Sequence, residues 1–200
     1  YDGYAVVNIS NTPFENESTG HINDSGYVVW ETSYGFNDEI YLYDGSEVTN
    51  ISNNPSADTS PHMNNNGQIV WSGYDGNDYE IFMAEPVGTA TVWQLTNNSY
   101  EDDSPQTHND QVVWGSYEEI FHWDGATINL LSSASGDYIL FSPQIDNGEV
   151  VWTGSTLLMD TAVFYSNGST VEQLTDWGFC SRPQIHNGQV VWTCGEIFVW

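Results

Sequence analysis

A short apolar triplet that ends in tryptophan returns five times along this chain of 200 residues. Its tryptophans are 41, 43, 38 and 40 residues apart. Regular spacing on this scale is typical of an architecture that repeats one supersecondary unit. The repeat therefore predicts one domain over residues 1–200, built from five units of about 40 residues. The five copies are Val28-Val29-Trp30, Ile69-Val70-Trp71, Val112-Val113-Trp114, Val150-Val151-Trp152 and Val190-Val191-Trp192.

Each unit contains four short strand patterns, because tight turns rich in Gly, Asn and Asp separate runs of β-branched and aromatic residues. In the fourth unit the first strand holds Ser142-Pro143-Gln144-Ile145, and a turn at Asp146-Asn147-Gly148 leads into the tryptophan triplet. Ala162-Val163-Phe164-Tyr165 forms the third strand, and residues 171–175 form the fourth. Four antiparallel strands per repeat indicate an all-β chain folded as a five-bladed β-propeller.

The two ends of the sequence complement each other. The last residues, 196–200, form only the third strand of the fifth unit. The first residues, Tyr1-Asp2-Gly3 and 6–10, match the turn and the fourth strand of another unit. We therefore expect the last blade to combine three C-terminal strands with the N-terminal strand, which leaves no exposed sheet edge. A fourth strand supplied by a neighbouring molecule is the alternative.

The order of motifs within a unit is Ser-Pro-x-Ile, a turn, Val-Val-Trp, Glu-Ile-Phe-x-Tyr-Asp-Gly and Leu-Thr-Asn-Asn. This order resembles the TolB-type propeller repeat, and more closely its variants in secreted and surface-layer proteins of archaea and bacteria. The resemblance covers the whole chain and implies a fold rather than an activity, because many functions share this scaffold. The sequence departs from the family in lacking Lys and in replacing the usual Trp-Ser-Pro-Asp-Gly segment by a shorter Gln-x-x-Asn-Gly turn.

The charge of the chain is very unbalanced, with 28 acidic residues, one basic residue (Arg182) and a formal net charge of −27. This balance argues against nucleic acid as a partner, because phosphate binding needs clustered Lys and Arg. It excludes an anionic membrane surface for the same reason, and no apolar run is long enough to insert into a membrane. A cation-rich, halophilic setting and a well-solvated secreted protein are both consistent with the excess of acid.

Two features predict an extracellular protein, either secreted or attached to the cell surface. Cys180 and Cys194 lie at equal distances from the turn at Asn187, so a regular hairpin places them opposite each other. We expect them to form a disulfide, which fits an oxidising compartment. The second feature is a set of six Asn-x-Ser/Thr sequons, which are candidate glycosylation sites. They begin at Asn8, Asn16, Asn23, Asn50, Asn97 and Asn167.

Two sets of side chains are candidates for ligand binding. Polar residues at one position of the inner strands should form a ring near the central channel, either as a hydrogen-bonded belt between blades or as a pocket for a sugar or an ion. Loop aromatics interleaved with acids are typical of sugar-binding surfaces, although turn-rich secreted domains show the same mixture. The ring comprises His21, His62, Gln106, Gln144 and Gln184. The loop aromatics are Tyr34, Phe36, Tyr74, Tyr79, Tyr100, Tyr117 and Trp177.

One loop resembles the start of a calcium-binding loop. It runs Asp75-Gly76-Asn77-Asp78-Tyr79-Glu80 and departs from that pattern at Tyr79, where a ligand would be expected. The loop could bind calcium weakly through Asp75, Asn77, Asp78 and Glu80, and a solvated loop without metal is the alternative. We expect no obligatory cofactor, and calcium is the candidate metal.

The leading functional hypothesis is a non-catalytic module that binds a carbohydrate or protein ligand, or that assembles into a surface layer or fibre. The near-equivalence of the five units supports it, since an active site usually makes one sector differ. A calcium-dependent lectin is one alternative. The other is a glycan-cleaving enzyme whose carboxylates come from different blades. Glu17, Asp58 and Asp102 share one position at the start of the first strand and could form that set.

Overall fold

The computed structural model describes residues 6–11, 16–34, 37–85, 91–133 and 138–200. Their regular structure is entirely β, and no helix that could cross a membrane occurs among them. The strands form antiparallel sheets in which chain order is also spatial order. The first sheet consists of β1 (Asn16–Ile22), β2 (Val28–Tyr34), β3 (Asn37–Tyr43) and β4 (Val48–Asn50).

Four further sheets follow along the chain. The second consists of β5 (Asp58–Met63), β6 (Ile69–Tyr74), β7 (Tyr79–Ala84) and β8 (Val92–Gln94). The third consists of β9 (Asp102–His108), β10 (Gln111–Ser116), β11 (Glu119–Trp123) and β12 (Ile128–Ser133). The fourth consists of β13 (Tyr138–Asp146), β14 (Glu149–Thr156), β15 (Thr161–Ser166) and β16 (Val171–Gln173). The fifth consists of β17 (Ser181–His186), β18 (Gln189–Thr193) and β19 (Ile197–Val199).

The repeated tryptophan lies on the second strand of each sheet and stacks on an aromatic residue of the third strand. Trp71 and Phe82, for example, are direct partners in the β6–β7 register, with ring centroids 6.0 Å apart. Such cross-strand aromatic pairs stabilise the pairing of two strands and fix its register. The equivalent pairs are Trp30–Tyr41, Trp114–Phe121, Trp152–Phe164 and Trp192–Phe198.

The same tryptophans form the core between sheets. Trp71 packs with Val29 and Ile40 of the preceding sheet, and Trp192 packs with Val151 and Val163 in the same way. The first strands of successive sheets lie side by side in the order β1, β5, β9, β13, β17. Consecutive sheets therefore pack face to face around their first strands, as the blades of a propeller do.

The predicted closure of the last blade is not formed in the described part of the chain. The fifth sheet has three strands, and residues 6–11 form no strand, with Val6 91% exposed. Tyr1-Asp2-Gly3 lies outside the described residues. No substantial packing joins β1 and β17, so the described sheets form an open arc, and residues 6–11 do not pair with β19. The alternative of a strand from a neighbouring molecule stays a prediction.

Candidate functional site

Three carboxylates converge in the loop between β6 and β7. Asp75, Asp78 and Glu80 each place an oxygen within 4.8 Å of the other two. The loop turns tightly at Gly76, whose φ of 108° suits glycine. Oδ1 of Asp75 accepts the backbone N–H groups of Asn77 at 2.9 Å and Asp78 at 3.4 Å. Alternation along the extended chain then sends Asp78 and Glu80 to the same side.

Two of these carboxylates are buried with unsatisfied oxygens. Asp78 is 8% exposed and Glu80 is 0% exposed. Oδ1 of Asp78 and Oε2 of Glu80 have no hydrogen-bond partner within the described structure. Burial, together with the charges of Glu80 and Asp75, raises the pKa of Asp78. The two buried oxygens therefore create a region of negative electrostatic potential, and no hydrogen-bond donor in the described structure offsets it.

A fourth carboxylate, from the next sheet, lies against Glu80. Oδ2 of Asp102, on β9, accepts the side-chain amide of Asn98 at 2.7 Å, while its Oδ1 has no donor within the described structure. Oε1 of Glu80 accepts the backbone N–H of Asn98 at 2.5 Å. Burial raises the pKa of Glu80, a bond from Thr96 opposes that effect, and the neighbouring Asp102 adds to it. Sequence reasoning placed Asp102 in the candidate catalytic set and did not predict its contact with Glu80.

The structure therefore brings together three of the four residues predicted as metal ligands. The fourth, Asn77, is exposed and contributes its backbone N–H to the turn around Asp75. The short spacing in Asp75-Gly76-Asn77-Asp78 was the sequence signal for this cluster. Oxygen-only clusters of this kind are suited to hard cations.

The three candidate catalytic carboxylates do not form a cluster. Each lies in a different sheet, Glu17 in the first, Asp58 in the second and Asp102 in the third. None belongs to a group of carboxylates close enough to share a metal ion among the described residues. Glu17 is exposed, whereas Asp58 and Asp102 are buried. Oδ1 of Asp58 accepts the indole N–H of its own blade's Trp71 at 2.8 Å. Asp58 is therefore a hydrogen-bonded part of the blade interior.

The predicted ring of polar inner-strand residues contains one close contact, between His21 and His62, whose ring centroids are 4.0 Å apart. Nδ1 of His62 accepts the backbone N–H of Thr107 at 3.2 Å, which joins the second and third sheets. Burial first, then the charges of His21 and His108, lowers the pKa of His62 to about 3, so it is neutral at pH 7. These three histidines line a groove of about 180 Å³.

The remaining members of that ring lie apart from the histidine groove. Gln106 is half-buried on β9. The side-chain amides of Gln144 and Gln184 donate to the carbonyls of Pro143 and Pro183 at 3.0 and 3.1 Å. Each of these two amides therefore bonds within its own strand, and no bond from either to another sheet is formed within the described residues.

Two exposed tyrosines line a single groove on the loop face. Tyr100 is 64% exposed and Tyr117 is 76% exposed, and the groove between them has a volume of about 220 Å³. Ser116, Glu118 and Glu119 complete its lining. Tyr117 also lines an adjoining groove of about 240 Å³. The two grooves together present exposed rings beside carboxylates.

The other loop aromatics are packed more closely against the protein. Tyr74 lies 5.7 Å from the ring of Tyr79, and Trp177 lies 5.9 Å from the ring of Phe164. Tyr74 and Trp177 keep about two fifths of their surface exposed. The side chain of Tyr34 and the whole of Phe36 lie outside the described residues.

The predicted disulfide is confirmed. Cys180 and Cys194 are bonded across the β17–β18 hairpin, with their Cα atoms 4.2 Å apart. Of the predicted glycosylation sites, Asn23 is buried, its amide donates to Asn64, and its carbonyl accepts two backbone N–H groups. Its side chain is therefore engaged in the folded chain. Asn8, Asn16, Asn97 and Asn167 are exposed and Asn50 is half-buried, and their glycosylation stays a prediction.

No protein-family model matches this sequence, and no curated protein matches it either. Solved structures do match. The putative TolB from Agrobacterium tumefaciens has a TM-score of 0.65 at 17% identity, over 82% of this chain and 68% of that one. The β-propeller domain of the Trilobed protease from Pyrococcus furiosus, which has an open velcro topology, has a TM-score of 0.60 at 14% identity, over 84% and 53%.

A Pyrococcus horikoshii acylaminoacyl peptidase is also similar, with a TM-score of 0.60 at 16% identity over 82% of this chain. The chain spans 28% of that peptidase and 53% of the Trilobed protease propeller. Identities this low show the fold alone, because one scaffold serves many functions. Together with the repeated motifs, these likenesses show that the chain has the β-propeller fold, with repeats of the TolB type.

Proposed function

We propose that this chain is a non-catalytic, extracellular or cell-surface binding module, built on a five-bladed propeller, whose loop face binds carbohydrate. The observation that carries the proposal is the groove between Tyr100 and Tyr117, two highly exposed rings on neighbouring loops. Exposed tyrosines are suited to this role, since each offers an apolar face for a sugar ring and a hydroxyl for a hydrogen bond.

The carboxylates in the groove narrow the class of carbohydrate. Glu118 and Glu119 can accept hydrogen bonds from sugar hydroxyls, and their charge repels anionic sugars. The whole chain carries a formal charge of −27, which adds to that repulsion. The ligand that this groove fits is therefore a neutral or amine-bearing glycan, and a basic protein surface is the competing partner.

The placement of the other acids supports a binding role over glycan cleavage. Glycoside hydrolysis needs two carboxyl groups about 5–9.5 Å apart on either side of the scissile bond. Glu17, Asp58 and Asp102 are distributed over three sheets, and the two aspartates are buried. The Cys180–Cys194 disulfide supports an extracellular location, because disulfides persist in oxidising compartments.

The test is binding of neutral, amine-bearing and anionic glycans by the chain and by the double variant Tyr100→Ala, Tyr117→Ala. We expect the variant to bind between about fivefold and about 150-fold more weakly, since each stacked ring contributes about 0.5–1.5 kcal/mol. The matched control is Phe179→Ala, which removes a ring that is equally exposed but lies outside the groove.

Three outcomes would overturn the proposal. Equal losses in the double variant and in Phe179→Ala would show that the groove is not the site. Binding of no glycan, with capture of a basic protein instead, would establish the competing partner. Glycan turnover would show that the chain is an enzyme. Each assay is run with calcium and with EDTA, because loss of glycan binding in EDTA would identify a calcium-dependent lectin.

A further inference from the structure

The carboxylate cluster between β6 and β7 has no basic side chain beside it, within the described structure, to offset the repulsion among its charges. Asp75, Asp78 and Glu80 crowd three negative charges together, and two of these groups are buried. The only basic residue, Arg182, lies on β17 in the fifth sheet. Buried charges are normally paired or coordinate a metal, because leaving them alone is costly.

Within the described structure, the hydrogen bonds that the cluster accepts fall on Asp75 and on one oxygen of Glu80. Asp75 uses Oδ1 to hold the turn, and Glu80 uses Oε1 to accept the backbone N–H of Asn98. Oδ1 of Asp78 and Oε2 of Glu80 are inaccessible to solvent and accept no hydrogen bond within the described structure. These unpartnered oxygens on almost fully buried side chains are the second observation, independent of the acidic cluster itself, that indicates a bound ligand.

We propose that Asp75, Asp78 and Glu80 bind one Ca²⁺ ion, with water or backbone carbonyl oxygens as its remaining ligands. Ca²⁺ lies about 2.3–2.6 Å from its oxygen ligands, so ligands on opposite sides of the ion are up to about 5 Å apart. The three carboxylate oxygens all lie within 4.8 Å of one another, which is compatible with that span. Mg²⁺ requires a near-ideal octahedral geometry and gives up its water reluctantly, so a cluster of three carboxylates suits it less well than Ca²⁺.

The ion would also stabilise the junction between two blades. Glu80 belongs to the second sheet, and the Asp102 carboxylate against it belongs to the third. A cation at Glu80 offsets the repulsion between these two groups, so calcium binding and packing of the two sheets reinforce each other.

The first sheet provides a matched control at the equivalent position. Glu39 is also buried at the start of a third strand, but both of its oxygens are satisfied. Oε1 accepts the side-chain amide of Asn37 at 2.8 Å, and Oε2 accepts the hydroxyl of Ser52 at 2.6 Å. Glu39→Gln therefore removes a comparable buried carboxylate without touching the proposed site.

The experiment is titration of the chain with CaCl₂ in buffered NaCl, which screens diffuse binding to the acidic surface. We expect one saturable site with a dissociation constant of about 10⁻⁴–10⁻³ M, as in other extracellular calcium modules. At about 10 mM calcium the melting temperature should rise by about 3–11 °C, with a smaller effect of equal MgCl₂. Tb³⁺, a luminescent substitute for Ca²⁺, should be excited through the neighbouring Tyr79 and displaced by calcium.

Three variants locate the site. Asp75→Asn changes an exposed residue, so it should fold normally and bind calcium at least about tenfold more weakly. Asp78→Asn and Glu80→Gln should abolish the thermal shift, whereas Glu39→Gln should keep it in full. An unchanged calcium response in Asp75→Asn and Asp78→Asn would overturn the proposal.

Absence of any saturable site in the wild type would overturn it as well. The calcium measurements require no glycan, so their failure is distinguishable from failure of the Tyr100–Tyr117 groove.

Discussion

The indole N–H of Trp71 donates a 2.8 Å hydrogen bond to Oδ1 of Asp58 on the neighbouring strand of the second sheet. The other oxygen of that carboxylate accepts the side-chain amide of Asn54 at 2.6 Å. In the fourth and fifth units, Leu140 and Cys180 stand at the equivalent position, and their tryptophans have no acceptor within the described structure. Different units thus place different residue types, acidic or apolar, at the same interior position.

Replacing Asp58 by Ala should lower the free energy of unfolding by about 2–3 kcal/mol. The change leaves the indole of Trp71 and the amide of Asn54 without their acceptor in a buried place and creates a small void. Urea denaturation followed by tryptophan fluorescence measures the difference. Glu17→Ala, an exposed residue at the same position of the first sheet, should cost less than about 1 kcal/mol. Equal costs would contradict the structural role of Asp58.

The pH dependence of stability should carry the signature of the same residue. Burial raises the pKa of Asp58 from 3.8 to about 6, so between these values the folded chain binds more protons than the unfolded chain. Asp58 therefore contributes on the order of 2–3 kcal/mol to the free energy of unfolding below about pH 4. This contribution is lost as the pH rises to about 6.

The measurement is the difference in unfolding free energy between wild type and Asp58→Asn at several pH values, which removes the shared effect of the other acids. As the pH rises from about 4 to about 6, the unfolding free energy of the wild type should fall relative to that of Asp58→Asn. A difference that is constant between about pH 4 and pH 7 would show that Asp58 titrates normally.

Gly73→Ala should be more disruptive than an ordinary glycine replacement in a strand. A Cβ atom at this position would lie 2.5 Å from Oδ1 of Asp58 and 2.7 Å from the ring of Phe82. Overpacking of this kind typically costs about 1–3 kcal/mol. Gly178→Ala is the control, because its Cβ would meet nothing within 4 Å. Thermal unfolding of both variants tests the prediction, and similar melting temperatures would contradict it.

Removing the disulfide should destabilise the fifth sheet. Cys180 and Cys194 are separated by 14 positions in sequence, and closing a loop of that size stabilises the folded state by about 3 kcal/mol. The double variant Cys180→Ala, Cys194→Ala should therefore show faster amide exchange in β17 and β18 than the wild type, while exchange in β5 and β6 changes little. Equal exchange rates for β17 and β18 in wild type and variant would show that the hairpin is stable without the disulfide.

The parts of the fold that could be predicted from sequence are those set by interactions between near neighbours in the chain. Alternation and turn chemistry place Val70 and Trp71 inside a strand and pair it with the strand of Phe82, and the same pattern repeats in every unit. Cys180 and Cys194 follow from the same reasoning, because hairpin register fixes which residues face each other. The grouping of Asp75 with Asp78 is also local, since one tight turn brings them together.

What only the tertiary structure decided depends on how one sheet packs against the next. The position of Asp102 at the start of its strand does not reveal that its carboxyl group lies against Glu80 of the preceding sheet. The same position in the second unit does not reveal that Asp58 accepts an indole N–H. Closure of the ring is decided in the same way. Residues 6–10 have the pattern of a fourth strand, but a strand forms only where a free edge is within reach, and no substantial packing joins β1 and β17. The sequence by itself thus determined the sheets, the tryptophan core and the disulfide, while the packing of one sheet against the next determined which acids meet and whether the arc closes.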